Sequence, residues 1–293
     1  MTRLVNISGH IVPAEQALVS AYDHGFLYGD GVYETLRTYE GIPFLLDRHL
    51  ARLHRSAERI WIRWEELPVD PAEELRKALL AAANTESLIR IILTRGVGPF
   101  GYDPHGCGKP TLLVYVQPFE APPASLYEKG GRAILVSVRR NPTIALDPYI
   151  KSSNLLNNIL GAMEAHEKGA DEGIMLNLAG NVAEGSMTNV FIVRGQRVAT
   201  PPLSAGILDG LTREFVLGIC RDNGIAADEV DLRPEELAAA DEAFITSTTR
   251  EIAPIVQIDR RPIGAGRPGP VTGRLRALFH TAVQATKAVH EGR

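Results

Sequence analysis

Apolar residues recur at helical spacing between about Asp47 and Ile60, where Leu50, Leu53, Ala57 and Ile60 share one face, and this predicts an amphipathic helix. Thr111 to Val116 and Ala133 to Val138 read as strands. Between them, Gln117-Pro-Phe-Glu-Ala-Pro-Pro-Ala-Ser125 carries prolines at 118, 122 and 123, a composition that suits a linker. The second half reads as a helix from about Ser153 to Lys168 ended by Gly169, then β-ribbon segments around Glu172 to Asn177 and Asn189 to Arg194. Tight turns at Gly180-Asn181 and Gly195-Gln196 fit hairpins. A helical pattern through Leu211, Phe215, Val216, Ile219 and Cys220 stops at Gly224, and a last amphipathic pattern runs from about Thr272 to Val289. Antiparallel strands with segregated helices point to an α+β fold, not a doubly wound sheet. The predicted organisation is a small N-terminal domain over 1–117, a linker over 118–130 and a larger domain over 131–293.

Bulk properties narrow the partners. A chain of 293 residues, 45% apolar, is long enough for two domains with real cores. Its net charge of −4, with both signs interspersed, gives no nucleic-acid footprint, and Arg139-Arg140 and Arg260-Arg261 read as solvated loop ends. No stretch approaches the roughly 20 apolar residues of a membrane span, and Met1-Thr-Arg-Leu lacks a signal-like apolar core, so a cytoplasmic protein is expected. Cys107 and Cys220 are too few for a zinc site or a disulfide framework; Cys220 lies on an apolar helix face and reads as core. The histidines lack His-Glu-x-x-His spacing, and His49 and His54 read as surface or supporting groups, so no metal is expected.

The candidate chemistry rests on an amine and a carboxylate. Lys151, in Tyr149-Ile-Lys-Ser-Ser-Asn-Leu-Leu-Asn-Asn158, is followed 33 positions later by Glu184, in Asn181-Val-Ala-Glu-Gly-Ser-Met-Thr-Asn-Val-Phe191. A pyridoxal phosphate enzyme needs both: a lysine to hold the aldehyde as a Schiff base and an acid to keep the pyridine nitrogen protonated. Taken singly, Glu184-Gly185 reads as a hairpin corner and Lys151 as a solvated side chain. Two later turns are suited to phosphate. Gly210 precedes a helix, so the free amides of Leu211 and Thr212 would point at an anion, and Ser247, Thr248 and Thr249 put three hydroxyls at a strand end. Their plainer readings are a capped helix and an ST-turn.

The order of these motifs resembles the fold type IV pyridoxal phosphate enzymes: branched-chain aminotransferases, D-amino acid aminotransferases and aminodeoxychorismate lyases. The resemblance begins at Asp23-His-Gly-Phe-Leu-Tyr-Gly-Asp-Gly-Val-Tyr-Glu34, continues through Leu46-Asp-Arg-His-Leu-Ala-Arg-Leu53 and Leu88-Ile-Arg-Ile-Ile-Leu-Thr-Arg-Gly96, and reaches Ile258. It implies a small α/β N-terminal domain and a larger pseudo-barrel C-terminal domain. It also implies Lys151 as the Schiff-base lysine, Glu184 as the partner of the pyridine nitrogen, and Arg52, Leu211, Thr212 and Thr248 as phosphate ligands. Tyr28, Tyr33, Arg37, Arg90, Phe100 and Thr249 are the implied substrate-pocket residues. The working unit implied is a homodimer in which Tyr28 and the loop Val97 to Pro104 of one subunit wall the site of the other.

The implied reaction is ping-pong transamination. The amine of Lys151, displaced by an amino donor, moves the proton from Cα, an oxo acid leaves, and a second oxo acid such as 2-oxoglutarate reverses the steps. Specificity signals are mixed. Arg90 and Gly96-Val-Gly-Pro-Phe-Gly-Tyr-Asp-Pro104 resemble branched-chain enzymes, whereas Leu88 and Leu155 stand where those usually carry Tyr, and Tyr33-Glu-Thr-Leu-Arg37 replaces their Phe-Glu-Gly-x-Arg. Lys-Ser-Ser-Asn-Leu-Leu and Ser-Thr-Thr-Arg-Glu look D-specific, yet an Arg-x-His carboxylate trap is missing after Arg95. A hydrophobic, branched-chain L-amino acid leads, a D-amino acid or (R)-amine follows, and an aminodeoxychorismate lyase, which tends to carry lysine at the place of Arg90, is third.

Overall fold

The computed structural model describes residues 2–291, with side chains through 286. Its contacts divide the chain into two compact units, one running to Glu120 and taking in Ile150–Asn154, the other holding Ala121–Tyr149 and the chain from Leu155. The sequence places 131–293 in a single domain; residues 150–154 instead pack with unit 1.

Unit 1 contains β1 (Leu4–Ile7), β2 (His10–Pro13), α1 (His24–Tyr28), β3 (Gly31–Tyr39), β4 (Ile42–Pro43), α2 (Leu46–Arg59), α3 (Pro71–Ala82), β5 (Ser87–Thr94) and β6 (Thr111–Pro118). The sheet order is β2-β1-β6-β5-β3-β4, antiparallel throughout. Strand alternation decides its faces. Val32 and Leu36 of β3 and Ile89, Ile91 and Leu93 of β5 are fully buried with Leu53 and Ala57 of α2 and Leu75 and Ala78 of α3. The predicted apolar stripe of α2 is thus the face that meets the sheet, and truncating Leu53 to Ala would cost about 2–5 kcal/mol. Asp70 starts α3 by accepting from the amides of Ala72 and Glu73, with Pro71 set just inside the helix.

Unit 2 contains α4 (Ala124–Glu128), β7 (Gly131–Arg139), α5 (Leu156–Glu167), β8 (Glu172–Leu176), β9 (Val182–Gly185), β10 (Asn189–Arg194), β11 (Arg197–Thr200), α6 (Leu211–Asp222), β12 (Ala227–Glu229), α7 (Pro234–Ala238), β13 (Glu242–Ser247), β14 (Glu251–Ile258), β15 (Arg261–Pro262) and α8 (Pro270–Glu291). The sheet runs β12-β11-β10-β13-β14-β7-β8-β9, with β15 paired to β14, and curls into a half-barrel. Its apolar interior is built by Val182, Val190, Ile192, Ala243, Ile245, Ala253 and Ile255. Helix α5 begins at Leu156, later than the expected Ser153, because residues 150–154 are taken up by pairing in unit 1. Cys220 is core, and burial pushes its thiol up to about 11. Among the described residues no helix is long and apolar enough to cross a membrane.

Candidate active site

The face of the unit 1 sheet away from α2 and α3 carries the polar odd-numbered residues of β3: Tyr33, Thr35 and Arg37. Arg90 of β5 lies opposite Thr35 in the register, and its Nε donates to the Thr35 hydroxyl at 3.4 Å. Segment 150–154 adds itself at the start of β3: the Tyr33 amide donates to the Lys151 carbonyl at 2.9 Å, and the Ser153 amide to the Gly31 carbonyl at 2.8 Å. The Lys151 amide donates to Ser56 Oγ at 3.2 Å. The backbone of Lys151 is therefore fixed at both its amide and its carbonyl. The Tyr33 ring lies 4.4 Å from Lys151 Nζ and 4.9 Å from the Arg90 guanidinium, so three predicted site residues form one cluster.

The even-numbered residues of β3 face α2, and one of them is charged. Glu34 is fully buried and accepts from Arg52 Nε at 2.6 Å, Arg52 Nη2 at 2.8 Å and pairs with His49 Nδ1 at 2.7 Å. Burial works to raise the Glu34 carboxyl, but the Arg52 charge and hydrogen bonds, with those of His49, overcome it and hold the group well below the usual carboxylate range. Burial also pushes the His49 imidazole below its ordinary value, against the pull of Glu34. Arg52, the expected phosphate ligand, is thus a buried guanidinium clamped in a plane by a two-point pair. His49, expected at the surface or in support, is buried; its signal in the sequence was the i, i+3 spacing with Arg52 on one helix face.

The other unit 1 candidates disperse. Arg37 is held between the Tyr39 and Phe119 rings, 4.1 and 3.7 Å from their centroids. Tyr28 ends α1, and its hydroxyl accepts from the Gly101 amide at 3.0 Å. Phe100 and Tyr102, in the same loop, are exposed.

In unit 2, Glu184 on β9 is buried and accepts from Arg140 Nε at 2.6 Å, from the Leu208 amide at 3.0 Å and from Asn189 Nδ2 at 3.3 Å. Arg140, expected as a solvated loop end, is buried because this carboxylate and Asn157 Oδ1, at 3.0 Å, replace its water; Arg139 is exposed as expected. Arg140 and Asn189 are functional candidates that the sequence reading missed. Asn189 was legible as the polar residue five places after Glu184, just ahead of an apolar strand.

Leu211 and Thr212 open α6, whose N-cap Gly210 offers no side chain, so their amides meet no capping group. A Cβ at Gly210 would fall 1.9 Å from Asn189 Oδ1, so only glycine permits this approach. Thr248 and Thr249 sit in the turn joining β13 to β14, closed where Glu251 adopts φ 53°, the left-handed region where glycine is usual.

These unit 2 residues fit pyridoxal phosphate on three counts. A carboxylate has about four acceptor positions; protein donors fill three on Glu184, leaving one for a protonated ring nitrogen. The uncapped start of α6 presents amides to an anion. Thr246, the register partner of Asn189, has a buried hydroxyl with no protein partner among the described residues.

Residues 31–258 match the family model for amino-transferase class IV. The chain is 40% identical over 279 residues to a putative branched-chain-amino-acid aminotransferase of Methanocaldococcus jannaschii, covering 94% of each chain. It is 34% identical to a D-alanine aminotransferase of Bacillus licheniformis, covering 97% of this chain and 98% of that one. In structure it is similar to the branched-chain aminotransferase from the thermophilic archaeon Thermoproteus uzoniensis with norvaline, with a TM-score of 0.87 at 35% identity, covering 97% of this chain and 95% of that one. With its fold and its relatives in agreement, the chain belongs to the class IV aminotransferases, enzymes that use pyridoxal 5'-phosphate.

Proposed function

We propose that this aminotransferase moves the amino group of a hydrophobic, branched-chain L-amino acid to a 2-oxo acid such as 2-oxoglutarate. The observation that carries this reading is the unit 1 cluster in which Tyr33 lies against both the Lys151 amine and the Arg90 guanidinium. Arg90 is flanked along its strand face by Leu88 and Ile92, so a carboxylate anchor has hydrocarbon on both sides. That combination suits an amino acid with an apolar side chain. Similarity to a putative branched-chain enzyme supports the same choice.

When bound, the cofactor supplies a cationic ring that accepts the electrons left at the substrate Cα. Lys151 would hold the cofactor's aldehyde carbon, and its amine would carry the proton of the substrate Cα. Glu184 keeps the ring nitrogen protonated, and Arg140, Asn189 and the Leu208 amide hold that carboxylate in place. The amides of Leu211 and Thr212, the Thr248 hydroxyl and Arg52 bind the phosphate. Arg90 orients the substrate carboxylate, with Tyr28, Tyr33, Arg37, Phe100 and Thr249 lining the pocket.

The second reading is a D-amino acid or (R)-amine transaminase, favoured by the similarity to a D-alanine aminotransferase. Holoenzyme mixed separately with L-leucine, L-valine, D-alanine and (R)-1-phenylethylamine separates the two. Conversion of bound cofactor to pyridoxamine phosphate by the branched L-amino acids at least about tenfold faster than by the others is expected; preference for D-alanine or the amine would replace the first reading by the second.

The working unit is proposed to be a homodimer. Tyr22, Phe26, Phe100 and Tyr102 are exposed aromatic residues of unit 1, with Tyr22 and Phe100 rings 5.4 Å apart, and a second copy would remove this surface from water. Light scattering should give twice the 31.9 kDa chain mass; a mass of one chain at micromolar concentration would reject the pairing.

A further inference from the structure

The first residue of β8, Glu172, is absent from the chemistry above, yet its carboxylate is heavily engaged. Its side chain is fully buried. Oε1 accepts from the Gly173 amide at 3.0 Å, the Ser186 amide at 2.9 Å and Ser186 Oγ at 2.5 Å. Oε2 accepts from Thr188 Oγ1 at 3.0 Å and Arg250 Nη1 at 2.9 Å. Five donors saturate the roughly four acceptor positions of a carboxylate, so Glu172 has nothing left for a ligand. It can act through what it holds.

One side of that grip is the chain directly after Glu184. Gly185 packs so closely that a Cβ there would lie 2.1 Å from Thr188 Oγ1 and 3.0 Å from Glu172 Cδ. The other side is Arg250, the last residue of the hydroxyl turn. Arg250 also donates from Nη2 to the Asp171 carbonyl at 3.3 Å and from its amide to Ser247 Oγ at 3.2 Å, while its carbonyl accepts from the Tyr127 hydroxyl at 3.2 Å. The next residue is the left-handed Glu251. A turn closed through an unfavourable backbone conformation is thereby tied, through one ion pair, to the strand that presents Glu184.

We propose that Glu172 is a positioning residue for cofactor binding: through Arg250 it fixes the Ser247–Thr249 turn in the form that receives the cofactor phosphate. The inference rests on the reading of that turn as a phosphate site. Its chemistry is orientation alone, since neither Glu172 nor Arg250 is asked to touch the phosphate.

The test is a pair of binding titrations on the cofactor-free full chain, with pyridoxal phosphate and with pyridoxal, which lacks the phosphate. Arg250→Met leaves four donors on Glu172 and so keeps the buried carboxylate satisfied. It should raise the dissociation constant for pyridoxal phosphate by about tenfold, as loss of an outer partner that orients a ligand group does, and change that for pyridoxal by less than about threefold. Arg250→Lys should fall between, because an ammonium reaches Glu172 without the second donor to Asp171. Glu172→Gln should weaken pyridoxal phosphate binding, and adding Arg250→Met to it should cause no further loss. Equal weakening of both ligands together with a lower melting temperature would make the pair merely structural and overturn the proposal, as would a native affinity in Arg250→Met or losses that multiply in the double variant. Thr248→Val with Thr249→Val separates the two levels. If that variant binds pyridoxal phosphate natively, the turn is not the phosphate site and both readings fall; if it binds weakly while Arg250→Met is native, this inference alone falls.

Discussion

Lys151→Ala should lower turnover by about 10²–10⁴-fold, the range of a positioned acid–base group, while leaving the melting temperature nearly unchanged. Unit 1 uses the Lys151 amide, on Ser56 Oγ of α2, and its carbonyl, on the Tyr33 amide of β3, which the substitution keeps, and within that unit Nζ makes no hydrogen bond to a described residue. Borohydride reduction of the holoenzyme should attach the cofactor to Lys151. Lys109, Lys129 and Lys168 are exposed and serve as controls, and a label found on any of them would overturn the assignment. Glu184→Gln is the companion variant. It should retain cofactor yet lose about 10²–10³-fold in turnover, because an amide does not hold a ring nitrogen protonated. Its new amide group would also oppose the Leu208 and Asn189 donors, costing some stability. Near-native turnover in Glu184→Gln would reduce Glu184 to a hairpin corner.

The second large effect is on stability. Glu34→Gln should destabilise unit 1 by about 3–5 kcal/mol, since it leaves the buried Arg52 guanidinium without its counter-charge. Denaturant unfolding at pH 7 reads this directly; a loss below about 1 kcal/mol would show that water or another group compensates Arg52. The pH dependence has a definite sign. Glu34 is held well below its unfolded value, so its contribution is fully present above about pH 4.3 and is lost as pH falls towards the folded value. The gap between wild type and Glu34→Gln should therefore be constant between pH 6 and 8 and narrow only in acid, below about pH 4. His49, also depressed, binds fewer protons folded than unfolded below about pH 6.5, so His49→Gln should flatten the rise in stability just below that pH.

What was legible in the chain had short-range causes. The stripe Leu50, Leu53, Ala57, Ile60 gave α2, because helical periodicity needs only local sequence. Gly169, Gly180, Gly195 and Gly224 marked ends and turns, and all adopt positive φ. The helix opened by Gly210 and the hydroxyl turn at 247–249 were visible because turns of glycine and small hydroxyl residues have their own composition. Family resemblance then supplied the proposed roles of Lys151, Glu184 and Arg52, which spacing alone left open between chemistry and solvated surface.

By itself, then, the sequence determined which segments are helix or ribbon, which turns carry uncapped amides or clustered hydroxyls, and to which family the ordered motifs correspond. Only the tertiary structure decided which charges are buried, and against what. Glu34, Arg140, Glu172 and Arg250 sit 18, 44, 14 and 78 positions from Arg52, Glu184, Ser186 and Glu172 respectively. A charge reads as solvated until a distant segment removes its water, and the compensating partner is chosen by strand register and packing, neither of which a local pattern encodes.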